Sequence, residues 1–141
     1  MLASFLFPTR GRLPQLLRSV HLLWELASDP ECFEVLVRAD DDDKETVELA
    51  GDLAAAYPQA KLTTGPRCLS DLDLHLMRDD LAARAHGRFV FLVNDDIAGV
   101  PRGWDDVLRA RLADLPETPR SSTARDVFPW ALLLVERAAR S

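Results

Sequence analysis

Hydrophobic residues along the chain come either in short unbroken runs or at helical spacing, and the two patterns alternate. Ser4 to Phe7 is a short apolar run stopped by Pro8, which predicts a buried strand feeding a loop. Leu13, Leu16, Leu17, Val20, Leu23, Trp24 and Ala27 then recur at helical spacing, with Arg12 and Arg18 outside the stripe, and predict an amphipathic helix. Phe33 to Ala39 (FEVLVRA) reads as a second strand. Four consecutive aspartates, Asp40 to Asp43, follow it, and such a run cannot continue a buried strand, so the chain leaves the sheet there. Val47, Ala50, Leu53, Ala54 and Tyr57 predict a helix over 44–57, closed by Pro58. A short strand at Lys61 to Thr63 precedes the Gly65-Pro66 turn. The next helix spans Leu69 to His86, with Gly87 as its C-cap. Arg88 to Val93 (RFVFLV) is the clearest strand, and it too ends in acid, at Asn94, Asp95 and Asp96. Trp104 to Leu115 predicts one more helix, Pro116 and Pro119 mark a linker, and Pro129 to Arg140 reads as a last helix.

Strand and helix alternate for most of the chain, which predicts an α/β fold with a mainly parallel sheet covered by helices on both faces. Its crossovers should be right-handed. Sheets of this kind bind ligands outside the carboxyl ends of their strands. Two strands place acidic clusters at that edge, and the coincidence marks it as the candidate site.

Composition narrows the possibilities. The 141 residues, 48% hydrophobic, suit one domain with one ordinary core. Seventeen basic residues against 23 acidic ones give a net charge of -6, which argues against sequence-independent nucleic-acid binding. A nucleotide remains compatible with that charge if a metal supplies positive charge locally. The two cysteines, Cys32 and Cys68, have neither metal-ligand spacing nor the density of a disulfide scaffold, and read as reduced thiols of a cytoplasmic protein. The opening MLASFLFPTRGR places its basic residues after the apolar run, the reverse of a secretory signal. Val127 to Val135 is too short to span a bilayer, so the expectation is a soluble protein without a membrane span.

Carboxylates gathered at one edge repel each other, and solvation, basic neighbours or a hard cation with oxygen ligands relieves the cost. A purely structural role is the alternative: Asp40 to Asp43 would cap the following helix, and Asp95 and Asp96 a turn. Both readings stay open at this point.

Three segments, in order, resemble a known family. PTRGR at 8–12, with Leu16, Leu17 and Val20 beyond it, resembles the P-T-x-x-R opening of family-2 glycosyltransferases of the GT-A type. FEVLVRADDDDKET at 33–46 is similar to their second strand and its acidic end. GRFVFLVNDDIAGVPRGW at 87–104 is similar to the segment carrying their DXD motif. The resemblance implies a nucleotide-sugar-binding half over 1–112, with 113–141 as a short remnant or the start of an acceptor half. It implies that Pro8, Thr9 and Arg10 border the base and ribose, with Arg12 as the arginine of the opening motif. Asp40, or Asp41 or Asp42 in a shifted register, would contact base or ribose. Asn94 and Asp96 take the outer DXD positions with Asp95 between them, and Asp96, with Asn94, would hold Mn²⁺ or Mg²⁺ against the diphosphate of a UDP- or GDP-sugar. Arg67 and Arg78 are the further phosphate candidates, although Asp79 stands where the family often has asparagine. The implied function is sugar transfer to a glycan, protein or lipid acceptor.

No general base is mapped. Glu117, Asp126 and Glu136 are the late carboxylates, with Glu136 expected on a solvent-facing helix. His21, His75 and His86 lack metal spacing and read as surface or helix-face residues; Trp24 reads as core, whereas Trp104, close behind the acidic loop, could be core or a platform for a sugar ring. Two other functions compete: a non-catalytic nucleotide-sugar or metal-binding module, and a receiver-like signalling domain. A receiver needs acids after its first strand, where this chain has Pro8-Thr9-Arg10.

Overall fold

The computed structural model describes residues 1–67, 69–93, 100–113 and 131–136. Five strands form one sheet: β1 (Ala3–Thr9), β2 (Phe33–Asp40), β3 (Ala60–Gly65), β4 (Phe89–Val93) and β5 (Ala131–Glu136), in the order β3-β2-β1-β4-β5. The first four are mutually parallel, and β5 pairs antiparallel with β4. The chain winds outward from β1 to β3 and then returns to the far side of β1, so the strand order reverses between β1 and β4. That reversal opens a crevice at the carboxyl edge. A receiver would carry the order 2-1-3-4-5, which this sheet does not have.

Side-chain alternation sorts the strands onto two faces. Phe5, Phe7, Phe33, Val35, Val37, Phe91 and Val93 point to one face, where they meet Leu16, Val20 and Leu23 of α1 (Leu13–Leu26), Leu53 of α3 (Ala50–Ala56) and Trp104 and Leu108 of α5 (Trp104–Ala113). Leu6, Leu36 and Val90 point to the other, beneath Leu81 and the following Ala85 at the end of α4 (Asp71–Arg84). With both faces covered, β2 is buried along its whole length.

Several expectations are corrected. Pro8 does not end β1, which runs on to Thr9. The pairing of β1 with β4 stops at Leu6, so Pro8 lies where a missing N–H disturbs one neighbour at most. The helix expected over 44–57 is two pieces, α2 (Lys44–Glu48) and α3, joined at Leu49. Gly87 is not a C-cap with left-handed dihedrals; α4 ends at Arg84, and a Cβ on Gly87 would fall 2.5 Å from the backbone of Ala3 and Ser4, so close packing demands the glycine. The final helix over 129–140 is overturned by β5. Ala131 to Val135 is unbroken apolar sequence without a period, and its five residues suit a strand better than a helix.

Candidate functional site

Register places the ends of β1, β2 and β3 together. Thr9 lies level with Ala39, and Asp40 with Gly65, so Arg10 emerges from β1 beside Asp40. The four aspartates then separate into four roles. Asp40 ends β2 and is 1% exposed, with its Oδ2 accepting from Arg10 Nη1 at 2.9 Å. Asp41 is exposed, and its N–H donates to the Gly65 carbonyl at 2.7 Å. Asp42, 48% exposed, takes both terminal nitrogens of Arg10 in a fork. Asp43 caps α2, accepting the Thr46 hydroxyl at 2.7 Å and the Gly11 N–H at 2.9 Å. Gly11 has φ +61, the left-handed conformation that turns this N–H toward Asp43 and feeds the chain into α1. The capping reading therefore holds for Asp43 and not for its three predecessors.

Two further arginines extend the pairing. Arg38 Nη1 lies 3.9 Å from Asp40 Oδ1, and Arg67 Nη1 lies 3.9 Å from Asp42 Oδ2. Arg38, Asp40, Arg10, Asp42 and Arg67 thus form an alternating chain of charge along the carboxyl ends of β1 and β2 and the turn after β3. The Arg10 bond, followed in weight by slight burial that acts against it, holds the Asp42 carboxyl below its usual range. Hydrogen bonds to Asp42 and Asp40 push the Arg10 guanidinium further above its ordinary value. Burial pushes the Asp43 carboxyl up, but the N–H of Gly11 and the Thr46 hydroxyl and N–H outweigh it and leave the group lowered. Basic neighbours, rather than solvent alone, relieve the repulsion in this cluster.

Pro8 is half-buried and Thr9 buried beneath Arg10, whereas Arg12 is exposed, with its carbonyl accepting the Leu16 N–H at the start of α1. Arg78 is half-buried on α4, and its Nε is buried without a hydrogen-bond partner among the described residues. It lies one turn before Leu81, which packs on Leu6 and Leu36, so it sits nearer the carboxyl edge than that contact. Asn94, Asp95 and Asp96, which follow Val93 in the sequence, lie outside the described residues, as do Cys68, Glu117 and Asp126. Among the described residues no group of three or more acids, histidines or cysteines is placed to hold a metal.

Sequence reasoning missed Arg38, which is 8% exposed within β2, and Gly65, against which it packs. A signal was present: Glu34, Arg38 and Asp40 sit at even positions of an otherwise apolar strand, on one face.

The opposite edge of the sheet holds a second polar group. Glu34, 2% exposed, accepts from Ser4 Oγ and from the His86 N–H, both at 2.6 Å, while Ser4 Oγ accepts the Gly87 N–H at 2.8 Å. Nearby, fully buried Asp105 accepts the N–H groups of Ser28 and Asp29 at 2.8 Å. Burial, reinforced by Asp105, pushes the Cys32 thiol up to about 11. Trp104 is fully buried, edge-on to Phe5 and Phe33, with Nε1 donating to the Leu23 carbonyl at 2.9 Å. It is core and no sugar platform. Trp24 packs against Phe33 and Tyr57 as expected, and His21 and His86 are exposed; the side chain of His75 is not described. Glu136 ends β5 instead of lying on a helix. No helix among the described residues is long and apolar enough to cross a membrane.

No protein-family model and no curated protein sequence matches the chain. Its fold, however, matches solved structures. Staphylococcus aureus TarS 1-349 in complex with UDP-GlcNAc superimposes with a TM-score of 0.65 at 16% identity, over 86% of this chain and 38% of that one. The same TarS fragment with UDP gives 0.63 at 17% identity, over 86% and 39%. The mannosyltransferase PcManGT from Pyrobaculum calidifontis, in complex with GDP-Man and Mn²⁺, gives 0.63 at 19% identity, over 89% and 37%. The chain therefore spans about two fifths of the length of these solved chains. Strand order, switch point and these superpositions agree that the chain has a GT-A glycosyltransferase-like fold.

Proposed function

We propose that this chain binds a nucleoside-diphosphate sugar at the carboxyl edge of its sheet and serves as the donor-binding part of a glycosyltransferase. The observation that carries the reading is the Arg10–Asp40–Asp42 cluster at the end of β1 and β2. It stands beside the switch point of a fold shared with proteins solved with UDP-GlcNAc, UDP and GDP-Man.

In this reading Pro8, Thr9 and Arg10 form the wall for base and ribose, and Asp40 with Asp41 or Asp42 supplies acceptors for nucleoside N–H and O–H groups. Arg10 has planar faces and spare donors when its hold on exposed Asp42 loosens. Arg67 and Arg78 supply charge for the diphosphate, and the Nε of Arg78, which has no hydrogen-bond partner among the described residues, is a donor that an acceptor could satisfy. Asp96 and Asn94 offer the oxygen donors that Mn²⁺ or Mg²⁺ prefers. A metal there would neutralise the diphosphate as it leaves. The described acids Asp40 and Asp42 already face arginines, which supports Asp96 and Asn94 as the metal ligands of this reading. Sugar transfer to an acceptor belongs to the same proposal for the whole protein.

The test is calorimetry with UDP, GDP and their sugars, in Mn²⁺ and in chelator, followed by assay for sugar-nucleotide turnover. Binding should be tighter in metal, and Asp96→Ala should abolish that difference without unfolding the protein. Equal affinity in chelator would remove the metal bridge, and no binding at all would remove the nucleotide reading. Binding without turnover would identify a non-catalytic module.

A further inference from the structure

Placing an arginine inside the second strand of a covered sheet is costly unless its charge is matched. Arg38 is such a residue, and its side chain lies on the same face as Asp40, two positions along β2. Its Nη1 donates to the Ala39 carbonyl at 3.2 Å and stands 3.9 Å from Asp40 Oδ1. Among the described residues, Asp40 is the carboxylate within ion-pair distance of it. Asp40 is therefore held from two sides, with Arg10 on Oδ2 and Arg38 beside Oδ1.

Space for the Arg38 guanidinium comes from the neighbouring strand. A Cβ on Gly65 would fall 2.2 Å from Nη2 and 2.7 Å from Cζ. Gly65 does not have the left-handed dihedrals of Gly11 and Gly103, so its missing side chain, and not its backbone freedom, is what this position uses.

We propose that Arg38 is a positioning residue of the nucleotide site: seated against Gly65, it fixes the Asp40 carboxylate so that Arg10 divides its donors between Asp40 and Asp42. This role rests on the nucleotide reading above. Remove the buried charge, and Asp40 draws Arg10 onto itself and away from Asp42, which changes the exposed surface that meets the nucleoside. Arg38 itself touches no ligand in this account.

Three variants test it, with UDP and GDP affinity measured by calorimetry in Mn²⁺ and stability by thermal melting. Arg38→Met should weaken binding by about tenfold or more. Arg38→Lys keeps the charge but loses the fork, and should recover part of that loss. Gly65→Ala keeps Arg38 and displaces only the flexible end of its side chain. It should therefore leave the melting temperature within about 2 °C of the parent, yet weaken binding as Arg38→Met does. The double variant should be no weaker than Arg38→Met alone, because both changes act through one side chain. Folded Gly65→Ala with parental affinity would overturn the positioning role and leave the nucleotide reading standing. A parent protein that binds neither nucleotide would overturn both.

Discussion

The two edges of the sheet each hold buried carboxylate, and they differ in the donors that chiefly satisfy it. At the amino edge Glu34 and Asp105 accept chiefly from neutral donors, a serine hydroxyl and backbone N–H groups of residues 28, 29 and 86, with the Arg109 guanidinium 3.6 Å from Asp105 as a supplementary ion pair. At the carboxyl edge Asp40 and Asp42 take arginines, and the central one, Arg10, is 42% exposed. Backbone donors cannot leave without unfolding the loop that carries them. An exposed guanidinium can exchange its partner for a ligand at little cost, since exposed ion pairs contribute little to stability. One edge is built to stay as it is, the other to be rearranged, although both look equally polar in the sequence.

Substitutions can break this contrast, starting from the amino edge. Trp104→Ala removes a fully buried ring packed on Phe5 and Phe33, and should cost about 4 kcal/mol in urea unfolding. Nucleotide affinity of the folded fraction should be unchanged; selective loss of affinity would restore the sugar-platform role for this ring. Glu34→Ala should cost about 3 kcal/mol, because it strands the Ser4 hydroxyl and the His86 N–H. A loss below about 1 kcal/mol would mean that water replaces the carboxylate and that this edge is less fixed than its geometry implies.

Asp105→Asn should cost about 2 kcal/mol at neutral pH, and its pH profile sharpens the argument. Burial pushes the Asp105 carboxyl up, but the Ser28 and Asp29 N–H groups and then Arg109 outweigh it, so the folded-state value lies below the ordinary 3.8. A depressed carboxyl contributes stability above its unfolded value, and that stability is lost as pH falls through the folded value. Unfolding measured from pH 7 down to 2 should therefore show the parent losing its advantage over Asp105→Asn below about pH 4. Parallel curves would place the effect in packing instead. Asp42→Ala, the mildest change, should leave the melting temperature unmoved and weaken nucleotide binding by about tenfold. Should stability fall with affinity intact, the two edges would not differ in kind.

Much of the architecture was legible because burial writes itself into sequence. FLF, FEVLV and FVFLV are short, rich in aromatic or β-branched residues and bounded by proline or polar residues, which favours covered strands, and the stripe from Leu16 to Leu23 supplies a helix face to cover them. Ala131 to Val135 misled because an unbroken apolar run carries no period and so does not separate strand from helix. The candidate site was legible as an acidic edge of the sheet and not as a set of contacts. Four identical aspartates in a row give no hint that one is buried, one bonds through its backbone N–H, one forks onto arginine and one caps a helix. That division comes from register with β1 and β3, which no local pattern encodes. Arg38 escaped notice because a charge in a strand reads as an exposed position, and the room for its guanidinium depends on a glycine 27 residues later in the chain.

The Gly11 N–H, held 2.9 Å from Asp43, gives the site a built-in spectroscopic reporter. The chain has six glycines, so glycine-selective ¹⁵N labelling would yield a spectrum simple enough to assign by single substitution. A proton bonded to a carboxylate is deshielded, and its signal should stand apart from those of glycines in ordinary turns. Arg10 acts electrostatically on Asp43, so a ligand that shifts Arg10 should perturb that bond. Occupancy of the carboxyl edge can thus be followed in solution with unlabelled compounds, one peak at a time, before any reaction is known.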